Sequence, residues 1–173
     1  YSSLVQLNKI TLSFILIFFA SGFCHCAEII KVAASSAQAG NPATASLDDL
    51  PGTRWAAEGS GEWIAITFNE PVKIGSVEIG FHNGNRKYNF DIEVTNDGES
   101  WENLGSFTSS GENNNPETFQ FKASSANQFR IISKGSNANK WINIHTLRIP
   151  EVKISTQLVK VAVKPAPVPG PAG

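Results

Sequence analysis

From Ala33 onward, apolar and polar residues alternate in short runs, each ended by Gly, Asn, Asp, Ser or Pro. Successive side chains of a strand point to opposite faces, so this alternation predicts half-buried strands. Ile64, Ile66 and Phe68 alternate with Ala65 and Thr67, and Val77, Ile79 and Phe81 repeat the pattern. Phe90, Ile92 and Val94 do the same against Asp91, Glu93 and Thr95. Asn96-Asp97-Gly98 supplies residues that tolerate positive φ, so the strand ending at Thr95 is expected to turn back towards Trp101. Further strands are expected at 118–121, 129–133 and 142–149. No stretch beyond the N-terminal segment sustains a helical period, and six or more strands within roughly a hundred residues predict a sandwich or barrel. The expected fold class is all-β.

Two segments break the pattern. Lys9 precedes an apolar run from Ile10 to Ala20, interrupted only by Thr11 and Ser13 and followed by Ser21-Gly22, which is the anatomy of a secretory signal peptide. The run is shorter than the ~20 apolar residues of a membrane span. Cleavage after Cys26 leaves Cys24 and Cys26 at the two small-residue positions, whereas a lipid anchor would set Phe23 or His25 directly before the modified cysteine. Simple secretion, extracellular or periplasmic in a bacterium, is the expectation. At the other end, 152–163 shows strand-like alternation, and Lys164-Pro165-Ala166-Pro167-Val168-Pro169-Gly170-Pro171 reads as a semi-rigid extended spacer or a frayed terminus. The expected organisation is a signal peptide over 1–26, a β-domain over 27–150 and a linker over 151–173. With a first residue Tyr1, the chain reads as a fragment whose next domain follows the spacer.

Composition narrows the function. A hydrophobic fraction of 41% can fill a core, and a net charge of -1 gives no global field to draw nucleic acid or an anionic membrane. Both cysteines lie in the signal segment, so the mature domain is expected to lack disulfides, thiolate metal sites and a cysteine nucleophile. No Asn-X-Ser/Thr sequon occurs, which suits a bacterial exporter. His82 and His145 are the mature domain's histidines, and neither His-Glu-X-X-His, Gly-X-Ser-X-Gly nor a phosphate-cradling glycine loop is present. The carboxylate pairs Asp48/Asp49 and Glu58/Glu62 sit in turn-like sequence and read as solvated loop charge. The domain is therefore expected to bind and not to catalyse.

Three loops carry binding chemistry. Leu47-Asp48-Asp49-Leu50-Pro51-Gly52-Thr53-Arg54-Trp55 is a tight connection entering a strand; it reads either as a Pro-Gly turn capped by Asp or as an oxygen-rich calcium loop. Phe81-His82-Asn83-Gly84-Asn85-Arg86-Lys87-Tyr88 gathers an imidazole, two amides, a guanidinium and an ammonium, groups that hydrogen-bond sugar hydroxyls and pair with a carboxylate. It reads equally as a solvated hairpin. Gly135-Ser136-Asn137-Ala138-Asn139-Lys140-Trp141 sets amides beside an indole, a surface on which a pyranose can stack. Trp55, Trp63 and Trp101, at strand edges, are assigned to the core; Trp141 is left between core and ligand platform.

Ala34-Ser35-Ser36, Asp48 with Thr53-Arg54-Trp55, the run from Phe90 to Trp101 ending in Asn-Asp-Gly-Glu-Ser-Trp, and Phe129-Arg130-Ile131 resemble the discoidin-like (coagulation factor type C) domains. Among these, the family 32 carbohydrate-binding modules of the kind attached to alginate lyases are similar over 33–149. The resemblance implies a galactose-binding-domain-like jelly-roll sandwich of two antiparallel sheets, with a structural Ca2+ and a glycan site on loops at one end. It assigns Asp48 and Thr53 to the metal, with Asn41 as a further candidate and Thr146 standing where the family usually has a Glu ligand. It assigns His82, Asn83, Asn85, Arg86, Lys87, Tyr88, Asn137, Asn139 and Trp141 to the glycan, and an acidic polymer such as alginate or pectin as partner. The expected function is a monomeric, non-catalytic module targeting a secreted polyuronate-degrading enzyme. The alternative is an adhesion or cell-surface glycan-binding domain with no enzyme attached. Loop tips offering Asn, Gly, Lys and Arg argue against insertion into a membrane.

Overall fold

The computed structural model of this chain describes residues 26–150 and 152–160. Residues 1–25 of the expected signal peptide and the proline-rich spacer lie outside the described residues. Eight strands follow in order: β1 (Glu28–Ala34), β2 (Trp55–Glu58), β3 (Trp63–Phe81), β4 (Tyr88–Thr95), β5 (Glu102–Thr108), β6 (Glu117–Ser136), β7 (Trp141–Arg148) and β8 (Lys153–Lys160). A single 3-10 turn, Ala43–Ser46, lies between β1 and β2.

β3 and β6 are long because each serves both layers of a sandwich. The first part of β3, Trp63 to Thr67, pairs with Ile132 to Gln128 of β6; its later part, from Val72 to Ile79, pairs with β6 from Ala126 back to Glu117. The register shifts between Thr67 and Val72, and again between Ile74 and Ser76. Pro71 stands in the first interruption, where the missing N–H costs no ladder bond. The second interruption moves the buried set from Ile64, Ile66, Phe68 and Ile74 to Val77, Ile79 and Phe81. An extra residue in one strand reverses which side faces inward, and this is how one strand keeps apolar side chains on the core while crossing layers. One layer runs β8-β1-β3-β6-β4-β5 and the other β2-β7-β3-β6. All pairings are antiparallel except β1 with β8. The architecture is the expected jelly-roll β-sandwich.

The core is one contiguous cluster between the layers, with Trp55, Tyr88, Phe81, Phe90 and Phe129 its largest fully buried side chains. Each such side chain contributes about 1.5–3 kcal/mol when withdrawn from water. Phe81 stacks on Tyr88 at 4.6 Å, and Phe90 meets Phe119 edge-on at 5.0 Å. Phe81 closes β3 and Tyr88 opens β4, so the stacked pair pins both stems of the loop between them. The outward face of β4 is polar as its alternation predicts: Glu93 pairs with Arg130 and Asp91 with Lys134, both across the strand interface to β6. The Asn96-Asp97-Gly98 turn forms as expected. The Asp97 carboxylate accepts the backbone N–H groups of Ser100 and Glu99 and the Thr95 hydroxyl, which hold its pKa down to about 2.

Two expectations change. The domain boundary does not fall at Pro150, because Lys153–Lys160 adds β8 to the open edge of β1, satisfying backbone groups the edge would otherwise expose. Of the three tryptophans assigned to the core, only Trp55 is in it, with no exposed surface; Trp63 and Trp101 are half-buried on the outer face of the first layer.

Candidate functional site

The loop from His82 to Lys87 is bound on two sides by other loops. Its own turn closes through Arg86 N–H donating to the Asn83 carbonyl at 2.9 Å, and His82 N–H donates to the Asn143 carbonyl at 3.0 Å. Lys87 N–H donates to Asn137 Oδ1 at 3.1 Å, while Asn137 N–H donates back to the Lys87 carbonyl at 3.0 Å. This two-way clamp joins the His82–Lys87 loop to the Gly135–Lys140 loop. On the other side, Gly84 N–H donates to Asn114 Oδ1 at 2.6 Å. A Cβ at Gly84 would lie 1.6 Å from the Asn113 carbonyl oxygen, so only glycine permits this approach of two backbones. His145, buried beneath, donates from Nε2 to the Asn114 carbonyl at 2.8 Å and places Nδ1 2.8 Å from the Thr146 hydroxyl.

The loops thus bring His82, Asn83, Asn85, Arg86 and Lys87 together with Asn137, but they divide the predicted residues by role. Asn137 uses its side-chain oxygen on Lys87. Asn139 directs its Oδ1 to Trp141 N–H at 3.1 Å and to the Ser136 hydroxyl at 3.3 Å. Tyr88 has no exposed surface and stacks on Phe81, so it supports the loop from below and offers no surface to a ligand. Asn85 and Lys87 are exposed, whereas His82, Asn83, Arg86 and Trp141 are half-buried. Arg86 and Lys87 take no part in the ion pairs of Arg130, Lys134 and Arg148.

Sequence reasoning missed Arg54. Its Nε is buried without a hydrogen-bond partner, and its positive charge acts on His82. The His82 pKa is lowered from 6.5, first by burial and then by Arg54, with the Pro51 carbonyl acting the other way and His145 adding a downward push. The loop before β2 therefore adjoins the His82 loop. Its neighbours in the chain, Thr53 and Trp55, carry no signal of that contact.

That loop also holds the residues assigned to a metal. The Asp48 carboxylate accepts the Thr53 hydroxyl at 2.7–2.8 Å and the Leu50 N–H at 3.0 Å, and Asp49 takes the left-handed conformation at φ 56. Asp48 and Thr53 line a cleft of about 420 Å³ with Gly40, Pro42, Thr44 and Ala45. This lining carries one carboxylate, two hydroxyls and no side-chain nitrogen, a donor set that suits a hard cation. Asn41 and Thr146 do not join it. Asn41 turns its amide onto Gln38 at 2.7 Å, and Thr146 is buried against His145.

Residues 31–147 match the model of the F5/8 type C domain. The chain belongs to the F5/8 type C, or discoidin-like, family. Among solved structures, the family 32 carbohydrate-binding module of AlyQ in complex with 4,5-unsaturated mannuronic acid is 32% identical, with a TM-score of 0.68 over 72% of this chain and 98% of that one. Truncated AlyQ with its module and alginate lyase domains is 32% identical over 70% of this chain and 32% of that one, with a TM-score of 0.67. A pectin-binding carbohydrate-binding module is 26% identical over 80% and 99%, with a TM-score of 0.68. A search of curated proteins found no match. The discoidin-like domain is a carbohydrate-binding module of the family 32 type, and the region matched to the AlyQ module accounts for nearly that module's full length.

Proposed function

We propose that the domain binds an acidic polysaccharide, alginate or a pectin-like polyuronate, through the loop end built from residues 82–87 and 136–141. The observation that carries this reading is the presence on one clamped loop of two cations outside the ion pairs, Arg86 and Lys87, beside a half-buried His82 whose lowered pKa favours the neutral ring. A guanidinium and an ammonium bind a uronate carboxylate by charge-assisted hydrogen bonds, the neutral imidazole and Asn85 bind ring hydroxyls, and Trp141 offers an indole face. The relatives solved with 4,5-unsaturated mannuronic acid and described as pectin-binding support the same ligand class.

The module acts, in this reading, as a secreted monomer tethered through its C-terminal linker to a polysaccharide-degrading enzyme. Tethering raises the enzyme's local substrate concentration without any new contact at its active site. A structural Ca2+ held by Asp48 and Thr53 supplies cross-linking charge to the loop that ends at Arg54, and so stiffens the neighbour of His82. If it binds only the folded state, calcium at a hundredfold excess over its dissociation constant adds about 2.7 kcal/mol of stability. Chelation then lowers the melting temperature of the wild type and leaves that of Asp48→Ala unchanged; equal midpoints with and without calcium in the wild type exclude the site.

The functional test is calorimetric titration against oligomers of alginate, pectin and galactan, with calcium present. Heat with the acidic oligomers that disappears in Arg86→Ala/Lys87→Ala supports the reading. Binding of neutral galactan alone removes the charge argument.

A further inference from the structure

Trp63 and Trp101 lie on the opposite kind of surface, the outer face of the first sheet, where they line a groove of about 260 Å³. Its floor is built by cross-strand register. Ala33 of β1 stands beside Ala65 of β3, and Ala65 beside Arg130 of β6. In the next row Lys31 pairs with Thr67, and Thr67 with Gln128. Two small methyl groups in one row leave space above the sheet, and Trp63, two residues before Ala65 in the same strand, flanks that space on the same face. Arg130 lies over the Trp101 ring at 3.9 Å and donates from Nε and Nη2 to Glu93 at 2.8 and 2.5 Å. Its charge is thereby matched and one face of Trp101 covered, which leaves Trp63 as the indole available for stacking. Lys31 is exposed and takes no part in the ion pairs of Arg130, Lys134 and Arg148.

A half-buried indole over a floor of methyl groups, with an amide, a hydroxyl and an ammonium in the adjoining row, matches the two faces of a pyranose: apolar C–H below, polar groups at the edge. The volume is below the roughly 300–1,000 Å³ of pockets for drug-sized ligands and suits one ring. We propose that this groove is a second glycan site, taking a single uronate residue stacked on Trp63 with its carboxylate at Lys31 and its hydroxyls at Thr67 and Gln128. The site is independent of the loop end and shares only its ligand class. Because it is built on paired strands, its geometry is set by the sheet, and chain segments of one polymer can engage it while others occupy the loops.

The experiment is calorimetric titration of the full chain with mannuronate trisaccharide, alongside tryptophan fluorescence. Two trisaccharides per chain are expected, falling to one in Arg86→Ala/Lys87→Ala. In that background Lys31→Glu, an exposed substitution that spares the core, weakens the remaining binding at least tenfold, and Trp63→Ala removes both it and its fluorescence change. A single wild-type site that vanishes in the loop variant and is unchanged by Lys31→Glu overturns the groove and leaves the loop reading intact. A single site that survives in the loop variant but is lost with Lys31→Glu supports the groove and overturns the loop reading. No binding in any form overturns both.

Discussion

The loop end and the outer-face groove solve the same problem in opposite ways. At the loop end, polar side chains first hold one another: Asn137 clamps Lys87, Asn139 caps Trp141, and Asn114 takes Gly84. What remains for a ligand is a short set, His82, Asn85, Arg86, Lys87, the Trp141 indole and the flanking Arg54. In the groove, backbone pairing sets the row of Lys31, Thr67 and Gln128, and the side-chain contact that shapes the wall is Arg130 on Glu93 and Trp101. Loops gain chemical variety and must spend part of it on rigidity; strands come rigid but offer only alternate residues on one face.

The substitution with the largest expected effect is Gly84→Ala. With a backbone oxygen at 1.6 Å from the new Cβ, the two loops must separate, at a cost of about 3 kcal/mol, the upper end for a steric insertion. Loop-end binding is expected to disappear while fluorescence of the groove tryptophans keeps its wild-type response. Loss of both responses would break the separation of the two surfaces. Next, single Arg86→Ala or Lys87→Ala changes should each cost about 1.5–3 kcal/mol of binding to an acidic oligomer, a tenfold loss or more, by calorimetry. Asn137→Ala removes the side-chain half of the clamp and should cost about 1 kcal/mol of stability in chemical denaturation, together with a smaller loss of affinity. A neutral result there would mean that the backbone bonds of His82, Arg86 and Lys87 and the Gly84 contact suffice to hold the loop.

The smallest effect is the pH dependence of His82. Its folded pKa lies below its unfolded value, so the unfolded chain binds more protons in the interval between them. The resulting stability is present above about 6.5 and is lost as pH falls through the folded value. NMR titration should place the His82 midpoint below 6.5, and Arg54→Gln should move it upward. An unmoved midpoint would remove Arg54 from the site.

Periodicity made the strands legible, but not their continuity. The runs at 64–68 and 77–81 read as two strands and are one, as are 118–121 and 129–133, because a strand that crosses between layers loses its alternation at the bend. The 82–87 loop was legible from its composition. Tyr88 was not separable from it, since a residue one step into a strand shares the loop's sequence while its ring enters the core. Arg54 escaped for the converse reason: nothing in Thr-Arg-Trp says that the guanidinium lies beside a histidine distant in the chain. The assignment of Trp63 and Trp101 to the core failed because a small β-domain usually buries its tryptophans, whereas here Ala33 and Ala65 leave the outer face open above the sheet.

By itself the sequence determined that this chain folds as an all-β sandwich, with its polar chemistry on particular loops, because strand periodicity and turn residues act locally. Which of those polar groups are free to meet a ligand was decided only in three dimensions. A hydrogen-bond partner such as Asn137 for Lys87, or a floor such as Ala33 against Ala65, exists only once distant strands are in register.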